Sequence, residues 1–379
     1  MKEGWEYKKL GEVCEILDSQ RKPITKGKRE PGAIPYYGAT GCLDYVKDYI
    51  FDEKLVLLGE DGAKWGAGDN SAYIINGKSW VNNHAHALRP KRDLLIDELL
   101  VYYLNFSNLL PYITGVTVPK LNQEKMRSIE IPIGPLKEQQ SIVDYLDSTF
   151  AKIDAMKANA EKALGEAKAL FQASLKEMLE PKEGWEEKTL KELGQTQTGT
   201  TPSKSDKDNY GDYIPFIRPS EIDYDGSGRI EYNSALKLSK KGADNGRVFD
   251  AQSIYMVCIG ATIGKVGYGE RTISCNQQIN ILTPNSSVNY KFAYYAMKND
   301  GFQQKVIKEG TSSQATLPII NKGKWEKLSI SYPPISEQQS IVETLDSLKS
   351  KVDRLQENYA KISQECAALK QAILRKVFE

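Results

Sequence analysis

Two loops combine several glycines with a lysine, an arrangement that lets the backbone and an ammonium group approach phosphate closely. They read GEDGAKWGAGDN from Gly59 and GATIGKVGYG from Gly260. Glycine has no side chain to hold a phosphate away, and backbone N–H groups and lysine supply hydrogen-bond donors. GATIGKV is one residue short of a nucleotide-binding P-loop and lacks a serine or threonine after its lysine, so no nucleotide site is predicted. Ordinary tight turns remain the alternative interpretation.

Other polar segments are rich in the side chains that contact DNA bases and phosphates. They begin at Arg21 (RKPITKGKR), Ile34 (IPYYGATG), Thr198 (TGTTPSKSDKDNYG), Ile214 (IPFIRPSEID) and Glu309 (EGTSSQATLP). A solvated loop is the alternative for any one of them, but their recurrence in both halves of the chain favours nucleic-acid binding. The residues predicted to contact DNA are Lys22, Lys26, Tyr37, Lys64, Asn83, His84, Lys120, Thr201, Ser203, Lys204, Arg218, Ser220, Thr262, Lys265, Gln277, Gln278, Ser312, Ser313 and Gln314.

Residue patterns for catalysis and for metal binding are missing from the sequence. His84 and His86 are the only histidines, and neither has a cysteine or acidic partner at metal-ligand spacing. An adenine methyltransferase needs an Asn/Asp-Pro-Pro-aromatic loop, whereas the only Pro-Pro here lies in YPPI from Tyr332. There is no G-x-S-x-G nucleophile motif and no carboxylate–lysine cluster typical of nucleases. The sequence therefore predicts a binding protein with no catalytic residues, no metal and no cofactor.

Composition limits the class of protein and its compartment. Lys and Arg total 51 against 50 Asp and Glu, so any basic surface must be local. The five cysteines are odd in number and form no C-x-x-C pair, which argues against a disulfide framework or zinc site and favours a reducing cytoplasm. The N-terminal MKEGWEYKKL lacks the apolar core of a signal peptide, and no run of about 18 apolar residues occurs. Neither export nor membrane insertion is predicted.

The chain contains an internal repeat. KEGWEYKKLGEV from Lys2 matches KEGWEEKTLKEL from Lys182 at 8 of 12 positions, and EQQSIVDYLDS from Glu138 matches EQQSIVETLDS from Glu337 at 9 of 11. The offsets are 180 and 199 residues, so the second copy carries about 19 more residues between these landmarks. Gene duplication for stability alone is one explanation of such a repeat; two modules that diverged between shared ends are another.

Each EQQSIV segment opens a long stretch of helical periodicity. Apolar residues of the second copy recur at spacings of four and three, as in a coiled coil; they are Ile341, Leu345, Leu348, Val352, Leu355, Tyr359, Ile362, Cys366, Leu369 and Ile373. The first copy has small residues, such as Ala160 and Ala163, where the second has large ones; its predicted seam is Ile142, Leu146, Thr149, Ile153, Met156, Ala160, Ala163, Ala167, Leu170 and Ser174. Because large residues can pack on small ones, we expect the two helices to pair antiparallel, with homo-oligomeric arms as the alternative.

The sequence thus predicts an α+β protein: two α/β domains joined by two long antiparallel coiled-coil helices, with an internal pseudo-two-fold repeat. The apolar runs KLVLLG and SIYMVCIG are typical of strands, and DELLVYYLNF and YKFAYYAMKN of helices. The predicted boundaries are 1–135 for the first domain, 136–180 for the first helix, 181–334 for the second domain and 335–379 for the second helix.

The order of these motifs resembles the specificity subunit of type I restriction-modification systems. A GW-E-x-K-x-L-x-E opening, a glycine-lysine turn, an Asn/Gln stretch and a closing EQQ-x-IV helix occur in each half, so the resemblance covers essentially the whole chain. The first half departs from the pattern, since it has no early Thr-Pro and carries GEDGAK where G-x-x-x-G-K is usual.

The resemblance implies a non-catalytic, cytoplasmic DNA-binding subunit. Each target-recognition domain would read one half of a bipartite, asymmetric site in double-stranded DNA, and the helices would set the gap between the halves. The chain would bridge two methyltransferase (modification) subunits and recruit two restriction/translocase subunits. Two rival hypotheses remain open at the level of sequence: a solitary DNA methyltransferase or nuclease with unrecognised motifs, and a coiled-coil adaptor that binds only protein.

Overall fold

The structure, a computed structural model, describes residues 4–223, 226–233, 235–311 and 317–379, and all their side chains except that of Thr311. Contacts divide the chain into two compact units. The first unit comprises Met1–Ala160 and Ala360–Glu379, and the second comprises Glu161–Tyr359. Both long helices contribute residues to both units. In the part of the chain that is described, no helix is long and apolar enough to cross a membrane.

The described residues of the first unit form ten strands and three short α-helices before the first long helix. In chain order these are β1 (Glu6–Lys9), α1 (Leu10–Val13), β2 (Cys14–Ile16), β3 (Pro31–Gly38), β4 (Gly41–Val46), β5 (Phe51–Asp52), β6 (Leu55–Gly59), β7 (Ala72–Ile75), β8 (Lys78–Val81), β9 (Ala85–Pro90), α2 (Asp97–Phe106), α3 (Gln123–Arg127), β10 (Glu130–Ile133) and α4 (Leu136–Met178). The helix predicted from DELLVYYLNF is confirmed as α2.

Two four-stranded sheets and a ribbon make up this unit. One sheet is antiparallel in the order β2-β9-β6-β7, and the other has the order β4-β3-β8-β5 with β3 parallel to β8. All five residues of β6 are buried, because this central strand is flanked by β9 and β7 and packs on both faces. The opening segment forms β1, which pairs antiparallel with β10 and closes the unit.

The second unit repeats the strands of the first in the same order and adds the helices α6 and α8. Its elements are β11 (Glu186–Thr189), α5 (Leu190–Leu193), β12 (Gly194–Thr198), β13 (Tyr210–Ile217), β14 (Leu236–Leu238), α6 (Lys240–Asn245), β15 (Val248–Phe249), β16 (Ser253–Val257), β17 (Val266–Gly269), β18 (Ile273–Cys275), β19 (Ile279–Pro284), α7 (Tyr290–Lys298), α8 (Asp300–Thr311), α9 (Lys322–Trp325), β20 (Ser329–Tyr332) and α10 (Ile335–Phe378). The sheet orders β12-β19-β16-β17 and β14-β13-β18-β15 and the ribbon β11-β20 match those of the first unit. The predicted internal repeat is confirmed.

The extra length of the second copy falls largely in one connection. Two residues join β3 to β4, whereas β13 ends at Ile217 and β14 begins at Leu236. Gly228 and Arg229 of this longer connection lie along the outer edge of β17, where Gly228 O accepts a hydrogen bond from Tyr268 N at 2.9 Å. The two units therefore differ at one sheet edge.

The EQQ motif has a structural role at the start of each long helix. The first glutamine of the motif, Gln139 in α4 and Gln338 in α10, is fully buried. Gln139 Oε1 accepts a hydrogen bond from Ile96 N at 3.0 Å, and its Nε2 donates to Leu94 O and Gly134 O. Gln338 makes the equivalent bonds with Asn289 N, Ser287 O and Pro333 O. The motif thus fixes the start of the long helix against the start of α2 or α7.

The two long helices run antiparallel within each unit. In the first unit, Ile142 near the start of α4 lies beside Phe378 at the end of α10, and further along α4 the backbone oxygen of Ile153 lies 3.8 Å from Cys366 Sγ. In the second unit, Phe171 and Leu175 of α4 pack in the core that contains Leu345 of α10. The predicted antiparallel pairing is confirmed.

The predicted apolar seam of α4 is wrong at alternate positions. Met156 and Leu170 are 61% and 59% exposed, whereas Leu164 is buried and Phe171 is partly buried. Two seams that alternate spacings of three and four residues in opposite order share the same 3.5-residue period. The many small residues of α4 do not show in the sequence which of the two seams is the apolar one. Packing in the structure selects the seam that contains Leu164 and Phe171. In α10 the predicted seam is buried at Ile341, Leu345, Val352 and Cys366 but exposed at Leu369.

Candidate nucleic-acid interface

The loops that carry most of the predicted DNA contacts of the first unit lie together where strands of its two sheets end. Strands β3 and β8 are parallel, so their carboxyl ends lie at the same edge. Strand β6 ends at Gly59 where its antiparallel partner β9 begins at Ala85. The loops after β3, β6 and β8 therefore meet, and we call this edge the loop edge of the unit.

Backbone hydrogen bonds hold these loops together. Asn82 N donates to Tyr37 O at 3.0 Å, Lys22 N to Val81 O at 3.3 Å, and Glu60 N to His84 O at 2.8 Å. The segment that contains Lys120 joins them, because Leu121 N donates to Glu60 O at 2.8 Å. Asn82 is buried, and its Oδ1 accepts from His84 N at 2.8 Å, which shapes the turn that presents Asn83.

The predicted contact residues at this edge differ in how far they are already bound within the protein. Lys22, Lys26, Lys64 and Asn83 are exposed. Tyr37 is partly buried, and burial raises the pKa of its hydroxyl. Two residues are engaged with carboxylates: His84 Nδ1 hydrogen-bonds Asp61, and Lys120 Nζ lies 2.7 Å from Glu60 Oε1.

Beneath the loop edge lies a buried network of charged side chains, which we call the buried charge cluster: Asp18, Arg21, Glu60 and His86. Arg21 Nη1 lies 2.6 Å from Glu60 Oε2, and Arg21 Nη2 lies 3.3 Å from Asp18 Oδ2. His86 Nδ1 lies 2.6 Å from Asp18 Oδ2, and its Nε2 lies 2.7 Å from Leu121 O. Both ring nitrogens of His86 thus face acceptor oxygens.

Electrostatics keep both carboxylates of this cluster ionised. Burial opposes ionisation of Asp18, but the hydrogen bond from His86 and the charges of His86 and Arg21 outweigh it and hold the pKa of Asp18 below its ordinary value. Burial likewise opposes ionisation of Glu60, and bonds from Lys120 and Arg21 lower its pKa. The cluster ties the segment after β2 to β6 and β9, so it positions the loop edge.

Sequence spacing gave no acidic partner for either histidine, but the fold supplies them. One carboxylate oxygen each of Asp18 and Glu60 and a ring nitrogen of His86, atoms that could bind a metal ion, lie within 4.8 Å of one another. The guanidinium of Arg21 and the ammonium of Lys120 already neutralise these carboxylates, and His86 Nε2 is bound to a carbonyl oxygen. These contacts are typical of a buried ion-pair network, and a metal ion would have to displace the Arg21 guanidinium and the Lys120 ammonium.

The second unit builds an equivalent loop edge with different side chains. Asn276 N donates to Ile217 O at 3.0 Å, Thr200 N to Cys275 O at 3.0 Å, and Cys258 N to Gln278 O at 2.8 Å. Each of these bonds has its counterpart in the first unit. The hydroxyl of Thr201 donates to Gln277 Oε1, which joins two predicted contact residues that lie 76 positions apart.

Arg218 and Ser220 follow the end of β13 and bind the same carboxylate. Arg218 Nη2 lies 2.8 Å from Glu221 Oε1, and Ser220 Oγ donates to that oxygen at 2.7 Å. Burial opposes ionisation of Glu221, but the hydrogen bonds from Arg218 and Ser220 lower its pKa. Arg218 is half-exposed and the Glu221 side chain is 5% exposed, so Arg218 also has a structural role.

The remaining predicted residues are less closely joined to these edges. Thr262 and Lys265 lie in the turn after β16, where Lys265 N donates to Thr262 O at 3.1 Å. Ser203 and Lys204 are exposed in the segment before β13. Ser312, Ser313 and Gln314 lie outside the described residues. The sequence analysis did not identify Asp18, Arg21 and Glu60, because no local pattern marks the contacts of these residues with distant segments; it also missed Glu221, which pairs with Arg218 three positions away.

Comparisons with known proteins agree with this architecture. A type I restriction enzyme specificity subunit proposed in Haemophilus influenzae, S.HindORF215P, is 28% identical over 365 residues, covering 93% of this chain and 89% of the relative. The EcoDI specificity subunit of Escherichia coli is 21% identical over 99% of this chain and 88% of its own length. The crystal structure of the HsdS subunit from Thermoanaerobacter tengcongensis shares the fold at 18% identity, with a TM-score of 0.59 over 100% of this chain and 97% of that one.

A second solved structure, from work on complex assembly and conformational transition of the type I R-M system, matches more closely, with a TM-score of 0.74 at 18% identity over 100% of this chain and 98% of that chain. The family described as type I restriction modification DNA specificity domain matches residues 2–164 and again residues 182–364. The two matches coincide with the two copies of the internal repeat. This chain therefore belongs to the type I restriction-modification DNA specificity family, with two copies of the family's domain.

Proposed function

We propose that this chain is the DNA-specificity subunit of a type I restriction-modification complex and reads a bipartite, asymmetric site in double-stranded DNA. The observation that carries the proposal is the loop edge, which is built twice by equivalent hydrogen bonds and carries different side chains each time. The first edge offers Lys22, Asn83 and His84, and the second offers Thr201 and Gln277. Because the backbone hydrogen bonds of the two edges are equivalent and their side chains differ, we expect the two edges to recognise different half-sites.

In this proposal the chain supplies recognition and other subunits supply catalysis. It bridges two methyltransferase subunits and recruits two restriction/translocase subunits, and the complex acts on DNA in the cytoplasm. Phosphate contacts from lysines such as Lys22 and Lys64 provide affinity, and contacts to base edges provide sequence choice. A solitary enzyme is the rival that incubation with methyl donor and DNA tests: methylation by the isolated chain would overturn the proposal.

Removing a lysine from each glycine-lysine loop, the exposed Lys64 and the partly buried Lys265, is expected to weaken DNA binding without unfolding the chain. Lys64→Ala in the first unit and Lys265→Ala in the second each remove an ammonium that would face a phosphate. Affinity for all sequences should fall, and the slope of log affinity against log salt should become shallower by about 1 for each lost contact. Fluorescence anisotropy with a labelled duplex at several salt concentrations measures both effects.

Lys78→Ala is the matched control, because Lys78 begins β8 at the opposite end from Asn83 and its ammonium lies over the Tyr49 ring. It should leave DNA affinity unchanged. Arg218→Ala is a less specific probe of DNA binding, because it also leaves the buried carboxylate of Glu221 without its cationic partner. Unchanged affinity in both Lys64→Ala and Lys265→Ala would remove these loops from the interface.

We also infer that the helices α4 and α10 set the gap between the half-sites. Inserting four residues in each helix, after Lys157 in α4 and after Ile362, one turn before Cys366, in α10, adds about one turn or roughly 6 Å. Because base pairs rise about 3.4 Å each, the preferred gap should lengthen by about one or two base pairs. Selection from a duplex library of varied spacers measures it; tight binding at the original gap would contradict the inference.

A further inference from the structure

The two units differ at one sheet edge, and the difference identifies a docking surface. In the second unit, the connection between β13 and β14 covers the outer edge of β17. Tyr268 N donates to Gly228 O at 2.9 Å, and Arg229 forms a parallel bridge with Tyr268. The two-residue connection between β3 and β4 has no such segment, and among the described residues no backbone–backbone hydrogen bond or bridge reaches the outer side of β7. We call this uncovered strand the β7 edge.

Backbone groups of the β7 edge point out of the sheet. Ala72 N donates to Asn105 Oδ1 at 2.7 Å, and Asn105 Nδ2 donates to Ala72 O at 2.9 Å, so the outward groups of Ala72 are satisfied. Outward and inward groups alternate along a strand, so those of Ile74 point the same way. Ile74 is the counterpart of Tyr268, since each lies opposite the equivalent residue of the central strand, Val56 or Ile254. An unpaired edge of this kind is a template for another strand.

An open cleft of about 550 Å³ lies beside this edge. Ala72, Ile74 and Val101 give it apolar walls, and Glu98 and Asp147 give it carboxylates. Val101 occupies the position that Tyr294 has in the second unit. There the Gly228 backbone packs so closely on the Tyr294 ring that a Cβ on Gly228 would lie 2.3 Å from Tyr294 Cζ. The smaller valine leaves room for a segment with side chains.

The charges of the cleft indicate what would fill it. In the second unit, Asp346 accepts from Tyr295 Oη at 2.6 Å and pairs with Lys291 Nζ at 2.6 Å, and Arg229 lines the same cleft. In the first unit, Tyr102 Oη donates to Asp147 Oδ1 at 2.5 Å.

Glu98 stands at the position of Lys291 and is bound instead by Lys54 Nζ at 2.6 Å. Among the described residues, no cation pairs with Asp147. The cleft thus lacks the cation that its counterpart contains.

We propose that the β7 edge binds an extended segment of the methyltransferase subunit, which adds as a strand beside β7 and places a lysine or arginine next to Asp147. This inference rests on the proposed function, which supplies the partner. DNA does not fit the cleft, because Glu98 and Asp147 would repel phosphate. A second copy of this chain would bring the same two carboxylates against themselves. Main-chain hydrogen bonds would give affinity and the basic side chain would give specificity.

Two substitutions test the two halves of the contact. Ile74→Pro removes the outward N–H, and proline is tolerated at edge strands whose N–H faces solvent. Asp147→Asn removes the charge and retains an acceptor for Tyr102. Each should weaken association with the purified methyltransferase subunit at least tenfold in titration calorimetry while leaving the thermal unfolding midpoint within about 2 °C. Asp346→Asn is the matched control, because its cations are internal, and it should leave association unchanged.

Photo-crosslinking identifies the occupant directly. Benzoylphenylalanine at Thr40, an exposed residue of the cleft, should crosslink to a segment of the methyltransferase subunit with a basic residue, and Ile74→Pro should abolish that product. Crosslinks only to a second copy of this chain, or full association in both Ile74→Pro and Asp147→Asn, would overturn the inference. Failure of the proposed function looks different: the wild-type chain would then neither join the methyltransferase subunit nor bind DNA specifically.

Discussion

Exchanging residues 14–128 for the corresponding segment of a relative is expected to change one half of the recognised DNA site and leave the other half intact. The segment runs from the start of β2 to the residues before β10, so the exchange retains the β1–β10 ribbon and the buried Gln139 that holds α4 in place. The complete loop edge of the first unit lies within it. Methylome sequencing of cells that carry the chimaera with its methyltransferase subunit reads out both half-sites.

The reciprocal exchange in the second unit, residues 194–328, is the control for this experiment. It retains the β11–β20 ribbon and should change the other half-site alone. If either chimaera altered both half-sites, the two units would not be independent readers. Thermal unfolding and association with the methyltransferase subunit would show whether an inactive chimaera has failed to fold or assemble or has lost only DNA recognition.

Arg21→Met is expected to destabilise the first unit by about 3–5 kcal/mol, because it leaves two buried carboxylates without their shared cation. The side chains of Asp18 and Glu60 are 5% and 10% exposed, and Arg21 contacts both. Arg89→Met is the matched control, since Arg89 also binds two carboxylates, Glu15 and Glu53, but at the surface. That substitution should cost about 1 kcal/mol or less. Urea unfolding of both variants and wild type measures the difference, and equal costs would contradict a special role for the buried cluster.

The same cluster predicts a pH dependence of defined sign. The native pKa values of Asp18 and Glu60 are lowered, so their ionised forms stabilise the fold at neutral pH, and this contribution is lost as pH falls through those lowered values. Arg21→Met removes part of the cause of the lowering. The gap in unfolding free energy between wild type and Arg21→Met should therefore be widest near neutral pH and narrow in acid. A gap that stayed constant down to pH 3 would show that Arg21 acts through packing alone.

Local sequence patterns determined the elements of this protein well. The duplicated KEGWE and EQQSIV segments marked the two units, and the apolar runs marked the central strands β6 and β16 and the helices α2 and α7. The long helices begin at Leu136 and Ile335, next to the prolines that precede them. These features were predictable because helix and strand periodicities, proline and repeats depend on near neighbours in the chain. The candidate contact loops were found by residue type in the same way.

Only the tertiary structure decided which distant residues meet. Asp18 and His86 lie 68 positions apart, and no periodicity announces their contact; it follows from the pairing of β2 with β9 and β9 with β6. The seam of α4 was ambiguous for a related reason, since two heptad phases fit its small residues and the packing partner selected between them. The uncovered β7 edge likewise depends on where the longer connection of the second copy lies. Sequence determines local periodicity and composition, whereas burial, ion pairing and edge coverage depend on contacts between distant segments, which packing of the whole unit selects.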